Sequence, residues 1–97
     1  MTDVETDLLP LRERLDSIDE DLVGLLARRA EVIHEVVAYK RARNIPVVHR
    51  AREDRMLDRI ETVAAAQGLD PRVARQVLRS VIDAFTLLEV EQLGPDS

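Results

Sequence analysis

The chain has 97 residues, 45% of them hydrophobic but with one Phe, one Tyr and no Trp, which implies a single domain with an aliphatic core and favours helices over sheets. Its net charge of −5, with Arg and Lys interspersed among Asp and Glu, argues against a nucleic-acid-binding face. The lack of Cys, and two His far apart in the chain, exclude disulfides and thiolate metal sites and argue against a His-based zinc site, so no metal or cofactor is expected.

Residues 1–6 are polar and acidic, without the basic and apolar regions of a secretory leader, and no apolar run approaches a membrane span; a cytoplasmic location is expected. Thr2 or Asp3 can cap a first helix, with Pro10 inside or just beyond its first turn. That helix is expected over about residues 7–42, ended by Asn44 in a left-handed stop and by Pro46, which lacks a donor. Its apolar seam is heptad-like: Leu8, Leu11, Leu15, Ile18, Leu22, Leu25, Val32, Val36 and Tyr39 alternate at intervals of three and four, and Arg29 takes one of the same slots. Eleven residues further on, close to three turns, Lys40 falls on the same face. A helix of about 35 residues is roughly 50 Å long, more than a compact domain of this size can cover, so a second copy of the chain is expected to share the seam in an intertwined homodimer.

A second helix is expected over about 50–67, with Met56, Ile60 and Val63 as its apolar stripe and Glu53 at the stripe's edge. Gly68 closes it, Leu69 can pack back, and Asp70-Pro71 reads as an N-cap followed by proline at the first helical position. The third helix is expected over about 71–93, with Val77, Val81, Phe85 and Leu88 inward, Glu89 close to that face, and Gly94-Pro95 as its end. The fold class is all-α: one long and two medium helices forming a single domain over 1–97.

The residues that break the apolar pattern are Arg29, Lys40, Arg52, Glu53 and Glu89, with Arg12 beside the seam. Several cations with few carboxylates suit a small dianion such as a dicarboxylate, since Arg grips carboxylate bidentately and Lys adds a point charge. Each also has a plainer reading. Arg29 can snorkel or pair with a glutamate across a coiled coil, and Lys40 can serve the helix dipole. Arg52 and Glu53 can be a solvated surface pair, and Glu89 a rim residue. Composition and periodicity lead to an anion-binding helical dimer.

Laid out in order, Leu11-Arg12-Glu13, Ile18-Asp19, Leu25-Leu26-Ala27-Arg28-Arg29, Tyr39-Lys40, Pro46-Val47 and Arg52-Glu53 resemble the all-helical, dimeric, three-helix class of chorismate mutase, over about Leu8 to Leu93. The resemblance implies the Claisen rearrangement of chorismate to prephenate in aromatic amino acid biosynthesis, a unimolecular step needing no metal or cofactor. It implies that Arg12 is contributed across subunits, that Arg29 holds a substrate carboxylate, and that Lys40 contacts the other carboxylate region and the ether oxygen. By the same resemblance Arg52 and Glu53 line the pocket and bind a ring hydroxyl, and position 89 supplies the second donor to the ether oxygen. Lys40, Glu89 and Arg29 are then the catalytic set.

The chain departs from the family pattern in three places. Glu89 stands where the family places a glutamine or, in some members, a glutamate, and a glutamate donates only when protonated; burial favours the neutral acid and nearby cations oppose it. His49 stands where an aspartate is common near the ring hydroxyl, and Phe85 where some members have a serine near a carboxylate. These leave open a related substrate, by isochorismate pyruvate lyase or 4-amino-4-deoxychorismate mutase activity, and equally leave open His49 as a loop residue and Phe85 as core filler. A noncatalytic, metabolite-binding regulatory helical dimer is the alternative of another class.

Overall fold

The computed structural model describes residues 3–93, and within them the chain forms three α-helices and no strand: α1 (Val4–Arg43), α2 (Arg50–Ala66) and α3 (Pro71–Leu93). The expected Thr2 cap and the Gly94-Pro95 stop lie outside the described residues. Asp3 caps α1: its Oδ1 accepts the Glu5 N–H at 3.1 Å and the Thr6 N–H at 3.4 Å, and its Oδ2 accepts the Thr6 hydroxyl at 2.8 Å. The cap starts the helix at Val4, ahead of the start expected near residue 7, and leaves Pro10 beyond the first turn.

The other helix ends follow from local chemistry. Asn44 adopts φ 55°, and the Ile45 N–H reaches back to the Lys40 carbonyl at 3.0 Å, closing α1 as a left-handed stop closes a helix. Gly68 does the same for α2 at φ 77°, with the Leu69 N–H on the Ala64 carbonyl at 2.9 Å and the Gly68 N–H on Ala65 at 3.2 Å. The Asp70 carboxylate then accepts the Arg72 N–H at 2.9 Å and starts α3 at Pro71.

The chain divides into two compact units, Met1–Val32 and Ile33–Ser97, the division falling within α1. In the first unit the seam faces solvent: Leu11, Leu15, Ile18, Leu22 and Leu25 are exposed, Leu15 by 58% and Ile18 by 59%. The second unit holds the packing of α2 on α3, with Leu57, Ala64, Ala74 and Ile82 buried, and Val37 of α1 buried as well. Arg75 ties the two packed helices at their surface, reaching Asp58 at 3.1 Å and Glu61 at 3.3 Å.

The buried faces of α2 and α3 differ from those expected. On α2 the buried positions are Glu53, Leu57 and Ala64, while Met56, Ile60 and Val63 are half-buried. On α3 they are Ala74, Ile82 and Glu89; Val81 and Phe85 are half-buried, and Val77 and Leu88 are exposed. The buried faces thus mix small residues, Ala64 and Ala74, with the larger Leu57 and Ile82.

Candidate active site

Two glutamates occupy buried positions in the second unit, Glu53 and Glu89, each 7% exposed. A buried carboxylate is costly unless it is paired or hydrogen-bonded, so the partners of each define what the site can do.

Glu89 meets Lys40. The ammonium lies 3.7 Å from Glu89 Oε2 and donates to the Val47 carbonyl at 2.8 Å. Glu89 Oε2 is buried and accepts no hydrogen bond. At 3.7 Å the contact is an ion-pair approach longer than a charge-assisted hydrogen bond, which would fall near 2.7–2.9 Å. Lys40 stands in the last turn of α1, and the left-handed stop at Asn44 turns the chain so that Val47 comes back onto it. Arg41, the next residue, donates to the Gln92 carbonyl at 2.7 Å, so adjacent residues of α1 contact adjacent turns of α3. An ammonium has three donors. Val47 takes one, leaving others to reach an oxygen beside Glu89.

Glu53 meets Arg79. Arg79 Nη2 donates to Glu53 Oε1 at 2.7 Å, and Arg50 Nη1 lies 3.5 Å from the same oxygen. Arg79 also holds Asp83 Oδ1, through Nη2 at 2.8 Å and Nε at 3.2 Å, and its guanidinium is held above the ordinary arginine value first by the hydrogen bond to Glu53. The solvated Arg52–Glu53 surface pair considered from the sequence is thus corrected: Glu53 is buried because α3 brings Arg79 to it, and Arg52 is exposed. Glu89, read as a possible rim residue, is buried too. Neither Arg79 nor the Val47 carbonyl was expected at a site from sequence. The available signal for Arg79 was its place three residues before Ile82 and ten before Glu89, on one side of α3.

The remaining candidates fall in both units. Arg12 and Arg29 belong to the first unit, where Arg12 pairs with Glu5 on its own helix and Arg29 is half-buried. His49 is exposed at the N-cap of α2, its side chain making no capping bond, and Phe85 is half-buried on α3. Hollows of the second unit include two of similar size. One, of about 330 Å³, is lined by aliphatic residues including Ile60, Val63, Leu69, Val73, Val77 and Val81, and offers an anion no cation. The other, of about 310 Å³, carries Arg72, Arg75 and Arg79, each already paired with Asp70, with Asp58 and Glu61, or with Glu53 and Asp83. Among the described residues no group of three or more His, Cys, Asp or Glu could hold a metal ion, and no helix is long and apolar enough to cross a membrane.

A buried carboxyl beside a half-buried ammonium, on a helical scaffold with a heptad-like first helix, defines a small polar site in an all-helical protein. The profile of the family described as chorismate mutase type II matches residues 11–90. The chain is 37% identical over 76 residues to the T-protein of Enterobacter agglomerans, covering 78% of this chain and 20% of that protein. It is 34% identical over 85 residues to the bifunctional chorismate mutase/prephenate dehydratase of Escherichia coli K12, covering 88% of this chain and 22% of that protein. It is 24% identical over 86 residues to the chorismate mutase of Methanocaldococcus jannaschii, covering 89% of this chain and 87% of that protein. The chain belongs to the type II chorismate mutase family. It spans about a fifth of the length of the first two relatives, and most of the length of the third.

Proposed function

We propose that the chain is a chorismate mutase, rearranging chorismate to prephenate, and that it works as an intertwined homodimer. The observation that carries this reading is the Lys40–Glu89 pair: a buried carboxyl oxygen without a hydrogen bond, 3.7 Å from an ammonium that has donors to spare. In the rearrangement one C–O bond of the ether breaks as one C–C bond forms, with no proton or electron exchanged with the protein. The protein therefore contributes by holding the enolpyruvyl arm over the ring and by stabilising charge that develops on the ether oxygen. Lys40 donates to that oxygen from one side, and Glu89 stands at the other. Arg29, together with Arg12 of the partner subunit, grips the substrate carboxylates, with Lys40 near the second of them; Arg52, Glu53, His49 and Phe85 line the remainder, Glu53 accepting from the ring hydroxyl.

The exposed seam of the first unit supports the dimer. Burying one Leu or Ile side chain is worth about 1.5–3 kcal/mol, so a seam of several such residues is a strong driving force for a second copy. The helices and their packing also fit a noncatalytic regulatory dimer, but a buried glutamate beside a lysine is a costly arrangement for a module that only binds.

The test is loss of chorismate absorbance with purified protein from mildly acidic to mildly alkaline pH, with products identified by chromatography, alongside Lys40→Ala. Prephenate formation that collapses in the variant supports the reading. Pyruvate release from isochorismate, turnover of 4-amino-4-deoxychorismate alone, or binding without turnover would each replace it.

A further inference from the structure

The geometry around Glu53 bears on which substrate the site accepts. Both guanidinium contacts to Glu53 fall on Oε1: Arg79 at 2.7 Å and Arg50 at 3.5 Å. Arg79 is itself shared with Asp83 at 2.8 Å. The cluster thus holds two cations and two carboxylates, and Glu53 sits in it with its charge compensated through one oxygen. Such a carboxylate is still a well-directed hydrogen-bond acceptor, yet its long-range attraction for a further cation is largely cancelled. A hydroxyl needs only the acceptor. A primary ammonium on the same ring carbon needs an uncompensated negative charge to repay its desolvation.

We propose that Arg79 is a positioning residue that sets substrate preference: by engaging Oε1 it fixes and neutralises Glu53, so that Oε2 receives a ring hydroxyl and discriminates against a ring ammonium. This rests on the reading of Glu53 as the acceptor for the ring substituent. Arg79 touches no substrate in this scheme and acts through Glu53. Arg50 is the weaker member, since its contact is longer and its side chain is 78% exposed, where solvent screens it.

The experiment compares kcat and KM for chorismate and for 4-amino-4-deoxychorismate, the latter by turnover or by competitive inhibition, in the unsubstituted protein and four variants. Arg79→Gln should raise KM for chorismate about tenfold with a smaller change in kcat, and should shift the preference ratio about tenfold toward the amine, the scale of one charge-assisted contact. Asp83→Asn removes the competing carboxylate from an exposed position and should move the ratio the opposite way, by about threefold at low salt. Arg75→Gln removes a paired arginine one turn away and should leave the ratio unmoved. Equal losses on both substrates in Arg79→Gln, or a ratio that moves the same way in Asp83→Asn, would reduce Arg79 to a structural ion pair. Glu53→Gln separates the two claims. If it leaves both substrates unaffected, the assignment of Glu53 and this inference fail together; if it impairs chorismate while the Arg79→Gln ratio stays put, the inference fails alone. Should Arg79→Gln not fold, the sign of the Asp83→Asn shift decides.

Discussion

Between Met1 and Val32 the helical repeat leaves Leu11, Leu15, Ile18, Leu22 and Leu25 exposed, whereas from Ile33 onward the chain buries Val37, Leu57 and Ile82 and takes two glutamates in with them. One unit leaves apolar surface in water; the other removes charge from it. Neither choice favours an isolated, inert helical domain, because exposed leucines and buried acids both raise its free energy. The contrast is resolved if the first unit exists to be covered by another copy and the second to hold a reacting anion.

The sharpest way to break that comparison is to put charge into the first unit. Ile18→Asp with Leu22→Asp should convert the proposed dimer to monomer in sedimentation and abolish turnover, because the site as proposed needs Arg12 from the partner subunit. A monomer that retains full activity would separate the two units functionally. Next in size, Lys40→Ala should lower kcat about 10²–10³-fold, the cost of removing one donor to a developing oxyanion, while leaving the dimer and the circular dichroism spectrum unchanged. A smaller and more specific effect is expected at Glu89. Glu89→Ala should lower kcat for chorismate, whereas Glu89→Gln, which keeps a donor in the same place, should retain turnover. An alanine variant as fast as the wild type would remove Glu89 from the role.

Two predictions concern stability. Gly68→Ala should cost about 1 kcal/mol in denaturant unfolding, because the left-handed backbone at φ 77° disfavours any Cβ and nothing within 4 Å of the added methyl can be blamed. The smallest effect is at Asp70. Its carboxyl is held below its ordinary value of 3.8, first by the Arg72 side chain and then by the Arg72 N–H. A depressed native value means that the contribution to stability is complete above the unfolded-chain value and fades as pH falls through the lower, native one. Asp70→Asn should remove that fading from the acid limb of unfolding and lower the neutral-pH midpoint by the same small amount.

The helices were legible in the sequence because their ends are local. Asn44, Gly68 and Asp70-Pro71 each act on backbone groups within a few residues, so no knowledge of the packing was needed. The buried faces were less legible. α3 carries Val73, Val77 and Leu88 on exposed positions and Ala74 and Ile82 on buried ones, and hydrophobicity alone does not say which set meets α2. Likewise Lys40 and Glu89 could be marked as misplaced from spacing, but the Arg79–Glu53 pair spans 26 residues of chain and depends on the α2–α3 register, which no periodicity encodes. Arg52 is exposed although its neighbour Glu53 is buried, because consecutive residues of a helix face different sides.

The tie between Lys40 and the connector constrains how this chain can vary in length. The Lys40 carbonyl accepts the Ile45 N–H and its ammonium donates to the Val47 carbonyl, so the backbone and side chain of one residue are both anchored to the segment that follows. Inserting or deleting a single residue between Asn44 and Val47 would offer the ammonium a different carbonyl, or none, and change its aim toward Glu89. The turn at Gly68 to Asp70 is held by backbone bonds to the end of α2 and by the Asp70 cap of α3, and Lys40 is not among its partners. Length changes between α1 and α2 should therefore act on Lys40 and Glu89, whereas those between α2 and α3 should act on the Glu53–Arg79 register, although both are short connections.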